Sequence, residues 1–378
     1  MSKEIMNKLQ QINEENLSDI RKAKAEGRAA IGFYCLYSPK EIAVAAGAIS
    51  FSLCGTRNDP IAAAEEILPR NLCPLIKSSF GFAVTDTCPY FSFSDIVVGD
   101  TTCDGKKKMF ELLSRYKTTH VLQLPQNQDP VTALGPWRGE LERFRKVVEH
   151  LTGVEITETR LHDAIRLMNR ERSARKALMD VNKANPAPLK GSQLLEVLFR
   201  VGFLAKREKG IQLMDEITAA ARNGSFRAKD PKNPSKRILL SGVPVGVGSD
   251  KVVKIVEQGG ADVVAFENCS GYKQTFCVAE DKDPMDALAE QYLSTPCSVM
   301  SPNTGRCDLL REMIRDFSVD GVIDLTWQAC HTYNVEAYQI AEFVQKTFGL
   351  PTLHLETDYA ESDTEQLRVR IEAYLEML

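Results

Sequence analysis

Apolar and polar positions follow two different rhythms along this chain. Residues 29–34 (AAIGFY) form a continuous apolar run of strand length that ends at Cys35. Ser38-Pro39-Lys40-Glu41 then opens an apolar helix, IAVAAGA. Ser38 is expected as its N-cap, Pro39 at its first position and Glu41 in a capping role three residues on. ISFSLC reads as a second strand ending at Cys54, followed by a helix in DPIAAAEEIL. NLCPLIKSSFGFA predicts a short helix carrying Cys73. FSDIVVG is a third strand, TTCDGKKKMFELLSRY turns from it into a helix with Cys103 in the turn, and HVLQLP is a fourth strand. Strands alternating with helices predict parallel βαβ units.

Over residues 137–225 the rhythm changes. LERFRKVVEHL, LHDAIRLMNRERSARKALMDV and QLLEVLFRVGFL are charged and repeat every three to four residues, which predicts helices. The polar stretch RNGSFRAKDPKNPSKR, with its two prolines, reads as a linker. The first rhythm then returns. RILLSGVPVGVGSDKVVKIVEQGG is strand, Gly-rich turn and helix; ADVVAFENC ends at Cys269; GVIDLTWQAC ends at Cys330; LPTLHLETD is a late strand. The expected fold class is α/β, two Rossmann-like parallel-sheet domains with a helical insertion and a ligand-bearing cleft between them. The expected division is an N-terminal helical segment over 1–27, a first domain over 28–150, the insertion and linker over 151–235, and a second domain over 236–378.

Length agrees with two cores: the chain has 378 residues, 43% of them hydrophobic and 26% charged, and one core rarely grows past ~250–300 residues. The net charge of −4 leaves no basic face for nucleic acid. No run of ~20 apolar residues is present for a membrane, and the polar start has no apolar signal core. A cytoplasmic protein is expected.

Cysteine changes the picture most. There are ten: Cys35, Cys54, Cys73, Cys88, Cys103, Cys269, Cys277, Cys297, Cys307 and Cys330. Cytosolic disulfides are rare, so the alternatives are core thiols, metal ligands and reactive thiols. Any one cysteine is most simply a small core residue. Yet Cys35, Cys54, Cys103, Cys269 and Cys330 all fall at predicted strand ends, where parallel α/β sheets bind ligands. Thiolates select zinc, copper(I) or iron–sulfur clusters. There is no CxxC pair, and only His331 adjoins a cysteine, so zinc is disfavoured. Dispersed cysteines converging from several strand ends suit an iron–sulfur cluster. A thiol-redox pair or a nucleophilic cysteine stays open as a second reading, although no positioned histidine is evident as its base.

GFYCLYSPKEIAVAAGAISFSLCG, LCPLIKSS, TTCDGKKK, ENCSG and QACHTYNVE together resemble the 2-hydroxyacyl-CoA dehydratase D-component family. The likeness runs from about residue 28 to the C-terminus in motif order. It lies nearest the single-subunit dehydratase members and the double-cubane cluster proteins. The resemblance implies a [4Fe-4S] cluster on Cys73, Cys103 and Cys330, with Cys35 as a fourth ligand in some subunits. It implies a partner as well: an ATP-hydrolysing activator with its own [4Fe-4S] cluster, which sends an energised electron to a 2-hydroxyacyl-CoA and forms a ketyl radical. Cys269 and Cys277 exceed the plain dehydratase pattern. With Cys35 they are expected to complete an [8Fe-9S] double cubane, as in homodimeric proteins that reduce small molecules; Cys54 is the alternative to Cys35.

The leading expectation is thus an ATP-dependent iron–sulfur reductase of a small-molecule substrate. The alternatives are a dehydratase subunit with one [4Fe-4S] cluster and a non-catalytic cluster carrier. Glu267 and His331 flank expected ligands and are the candidate proton relays. Lys77 and Ser78 are candidates to hydrogen-bond the cluster's sulfurs, or else pack. Lys106, Lys107 and Lys108 present positive charge, or a solvated helix start. Gly242, Gly246 and Gly248 form a tight βα turn or an anion site, with no dinucleotide spacing. Cys88, Cys297 and Cys307 are read as structural.

Overall fold

The computed structural model describes residues 1, 3–226 and 235–378; half of the predicted linker, residues 227–234, lies outside them. Among the described residues eight strands form two four-stranded sheets. The first contains β1 (Ala30–Phe33), β2 (Ile49–Ser52), β3 (Ile96–Asp100) and β4 (Thr119–Leu122), in the order β2-β1-β3-β4. The second contains β5 (Arg237–Gly242), β6 (Asp262–Phe266), β7 (Gly321–Trp327) and β8 (Thr352–Thr357), in the order β6-β5-β7-β8. Every pairing is parallel. The two sheets therefore repeat one strand order without repeating a sequence, and the expected α/β class with two Rossmann-like sheets is correct.

The helices are α1 (Lys3–Ala25), α2 (Lys40–Ala45), α3 (Ile61–Ala64), α4 (Pro74–Thr85), α5 (Pro89–Phe93), α6 (Asp104–Leu113), α7 (Leu134–Thr152), α8 (Glu158–Asp180), α9 (Gly191–Val201), α10 (Arg207–Arg222), α11 (Lys251–Gln258), α12 (Pro284–Leu293), α13 (Thr304–Asp316), α14 (His331–Phe348) and α15 (Thr364–Glu376). Side chains alternate across a strand, and β1 divides its residues accordingly. Ala30 faces a large core shared with β5–β7, while Ile31 and Phe33 face a second core with Trp137, Leu141 and Phe144 of α7.

Helix α12 follows β6 in sequence but packs in that second core, through Met285, Leu288 and Leu293. The turn after it is bonded there too. Tyr37 Oη donates to Thr295 O at 3.0 Å, and the Ser301 N–H to Gln126 O at 2.9 Å. A segment of the C-terminal half thus crosses to the N-terminal half, so chain order and packing do not divide the molecule at the same place. No described helix is long and apolar enough to cross a membrane.

The Gly-rich turn has a packing reason. Gly242 has φ +102°, and a Cβ there would stand 2.0 Å from Leu325 O on the neighbouring strand. At Gly246 a Cβ would strike the Phe199 ring. Three capping expectations, for Ser38, Pro39 and Glu41, are corrected. Helix α2 starts at Lys40 with Pro39 as N-cap and no side-chain cap. Ser38 lies one residue too early, and its hydroxyl finds no partner. Glu41 is drawn inward, where Arg172 pairs with it at 2.6 Å and Tyr292 donates to it at 2.7 Å.

Candidate metal centre

Cys73, Cys103 and Cys330 sit at the N-caps of α4, α6 and α14. Each helix begins there for a local reason: Pro74 occupies the first position of α4, and α6 and α14 emerge from the turns that end β3 and β7. The three thiols lie close enough for each other's charge to matter. Cys103 acts on Cys73, and both act on Cys330. The expected trio from the two halves is therefore brought together.

A helix start presents free N–H groups and the positive end of the macrodipole. The backbone N–H groups of Leu75 and Ile76 lower the Cys73 thiol and that of Tyr333 lowers Cys330, although neither sulfur accepts a cap hydrogen bond. The Lys106 N–H lies 3.4 Å from Cys103 Sγ. Each of the three sulfurs thus stands at the positive end of a helix, which favours negative charge on it. Burial acts the other way on the bare thiols. It pushes Cys73 up to about 11 and Cys330 up to about 12. A cation must then displace the protons, as metal binding to thiols does.

A second group surrounds Cys35. Its thiol is raised well above the ordinary range, by burial first and then by Asp100, against the lowering effect of Lys106; Cys269 and Cys297 add their charge. Burial, together with Cys297, pushes Cys269 up to about 12. Cys297, read from the sequence as structural, thus joins Cys35 and Cys269. Cys277 does not. It is exposed, 3.9 Å from Ser173 Oγ and 4.0 Å from Thr275 O. The signal missed was in the packing: Cys297 follows α12, the helix that crosses to the first half. Cys54 is 3.7 Å from Tyr34 O, and its charge is felt at Cys269 and Tyr359.

Lys106 stands between the two groups. It is buried, 3.3 Å from Asp100 Oδ1, and its pKa is raised by Asp100 and by the thiols of Cys35, Cys103 and Cys54 against the cost of burial. Lys107 and Lys108 remain near the surface in ion pairs with Asp104 and Glu111. Lys77 pairs with Glu65 at 2.7 Å, and Ser78 donates to Arg57 O at 2.6 Å, so both serve packing.

The proton-relay candidates part company. Glu267 is fully buried and receives Lys273 at 2.7 Å, Arg306 at 3.3 Å, Ser241 at 3.0 Å and the Gly242 N–H at 3.2 Å. Burial alone would raise its carboxyl, but Lys273 and Arg306 outweigh it and hold it below the ordinary value. With both oxygens engaged, Glu267 has no free position from which to carry a proton. It anchors Lys273, whose ammonium is 3.3 Å from the Tyr333 hydroxyl in the first turn of α14. His331 is exposed beside Cys330.

Among the described residues no three His, Cys, Asp or Glu side chains converge tightly enough for a single metal ion. A polynuclear cluster holds its thiolates farther apart than one ion does. The donors are sulfurs at helix starts, with carboxylates and imidazoles outside the set, which fits iron–sulfur better than hard cations.

Comparison with known proteins adds an independent line. The family model for 2-hydroxyglutaryl-CoA dehydratase, D-component, matches residues 35–378. The chain is 46% identical over 356 residues to "Putative dehydratase subunit YjiM" of Escherichia coli (strain K12), covering 94% of this chain and 93% of that one. It is 25% identical to the (R)-phenyllactyl-CoA dehydratase beta subunit of Clostridium sporogenes, covering 93% and 92%. It is 21% identical to a benzoyl-CoA reductase subunit of Thauera aromatica, covering 92% and 89%.

Proposed function

Because the chain belongs to the 2-hydroxyglutaryl-CoA dehydratase D-component family, we propose that it is the cluster-bearing component of an ATP-dependent reductase. Its electrons come from an ATP-hydrolysing activator with its own [4Fe-4S] cluster, and its substrate is a small molecule. The working unit is a cytoplasmic homodimer. Cys73, Cys103 and Cys330 would hold one cubane. Cys35, Cys269 and Cys297 would hold a second, the pair forming an [8Fe-9S] double cubane. The observation that carries this reading is that three helix N-termini bear three mutually interacting thiols, beside a second group of three thiols in loops.

When bound, such a cluster supplies electron transfer at low potential. The chain's own residues set its surroundings. The N–H groups of the three helix starts stabilise charge on sulfur, and Lys106 places a buried positive charge next to both trios. Glu267, Lys273 and Tyr333 position the first turn of α14, and so Cys330. His331, exposed at that turn, would be the side chain placed to hand protons to a reduced substrate.

The second reading is a dehydratase subunit with one [4Fe-4S] cluster, and it is favoured by the relatives that are dehydratase beta subunits. Anaerobic iron and sulfide analysis separates the two. About eight iron per chain is expected for the double cubane and about four for the single one. Replacing Cys297 by serine should roughly halve the iron, while replacing Cys277 should leave it unchanged. Full iron without Cys297 removes it from the ligand set.

A further inference from the structure

Next to Cys35, between the start of α2 and the inner face of α8, lies a cavity of about 70 Å³. Its wall carries five charged side chains, Lys40, Glu171, Arg172, Arg175 and Lys273. Most of these charges are answered locally. Arg172 pairs with Glu41 at 2.6 Å, and Arg175 with Glu171 at 3.0 Å. Glu171 is also claimed by Arg207 at 2.6 Å. Lys40 is the exception. Its ammonium donates to the Ser52 hydroxyl at 2.8 Å, and no described carboxylate lies within ion-pair distance of it. Lys273 pairs with Glu267 at 2.7 Å, so with Arg207 five cationic side chains share three carboxylates around this space, an excess that burial makes costly.

A second observation lies on the same wall. Ser38 is 1% exposed, lines the cavity, and its hydroxyl has no hydrogen-bond partner. Buried hydroxyls are nearly always bonded, so this donor lacks an acceptor. An ammonium without a carboxylate partner and a hydroxyl without an acceptor on one small wall call for an anion with two acceptor oxygens.

We propose that this cavity binds a small carboxylate, one oxygen on the Lys40 ammonium and the other accepting from the Ser38 hydroxyl. The volume is that of a few waters. It excludes the nucleotide part of a CoA thioester and admits a ligand of only a few heavy atoms. Cys35 shares the wall. On the cluster reading of the preceding subsection, on which this further step rests, the carboxylate is the charged end of the substrate, held beside the electron source. Burial, and after it the charge of Arg207, hold the Lys40 ammonium down to about 7, which an anion at this place would relieve.

Calorimetric titration of the anaerobically purified protein with acetate tests the site, with benzoate as a carboxylate too large for it. Saturable binding of one acetate per chain is expected, with none for benzoate. Lys40→Met should weaken acetate binding roughly tenfold or more and Ser38→Ala several-fold, at unchanged iron content. Lys40→Arg, which keeps the charge, should retain most of it. No saturable binding by protein with full iron, or equal binding by Lys40→Met and Ser38→Ala, overturns the proposal. Lys40-dependent binding by protein that never carries iron would uphold the site and remove the cluster reading instead.

Discussion

The most informative single residues here are buried ions, which the sequence shows only as charges on helices. Glu171 is 6% exposed between Arg175 and Arg207. Burial works to raise its carboxyl, but the charges of Arg207, Arg175 and Lys40 prevail and hold it down to about 2, below its ordinary 4.5. A depressed carboxyl contributes stability that is complete above the unfolded-state value and is lost as pH falls through the folded one. Glu171→Gln should therefore cost on the order of 3 kcal/mol at neutral pH. In anaerobic urea unfolding, the gap to the wild type should close between pH 4.5 and 2. A gap independent of pH would mean that the pair contributes shape and not charge. The same burial separated Glu41 and Glu267 from the roles their positions in the sequence suggested. One pairs with Arg172 and Tyr292, the other with Lys273 and Arg306. Partners as far as 39 and 251 residues away are among them, and no local pattern announces such pairs.

At the scale of elements, the sequence was a good guide because strand and helix periods are local properties. All eight strands fall where apolar runs predicted them. The five strand-end cysteines, Cys35, Cys54, Cys103, Cys269 and Cys330, each follow their strand within a short turn, Cys103 and Cys330 as the N-caps of α6 and α14. Which residue caps a helix was less legible, since one residue of offset decides it. Ser38 misses α2, while Cys73, Cys103 and Cys330 each stand at a cap. The turn after β5 gives a test of element geometry. Gly242→Ala places a Cβ 2.0 Å from Leu325 O at φ +102°, which parallel strands cannot relieve without breaking the β5–β7 ladder. A loss of several kcal/mol, or failure to fold, is expected. Gly153→Ala, at φ +68° in open space, should cost only about 1 kcal/mol. Thermal unfolding of the two variants compares them directly, and equal losses would refute the packing account.

Over the whole molecule, two sheets of one strand order bring their carboxyl-terminal turns to a shared set of thiols, joined by bonds such as Thr56 Oγ1 to Val247 O at 2.8 Å and Tyr359 Oη to Gly55 O at 3.1 Å. A cluster ligated from both halves would tie them further. Removing iron with a chelator under anaerobic conditions should then lower the melting temperature by on the order of 10 °C, and no shift would argue against a shared ligand set. The amino-acid sequence by itself determined the class of fold, the strands and the cysteines at their ends, because hydrophobic period and turn chemistry act over a few residues. Only the tertiary structure decided which thiols meet. The crossing of α12 carries Cys297 to Cys35 and Cys269 and leaves Cys277 at the surface, since burial against a distant surface is a property of the packed chain and leaves no local trace.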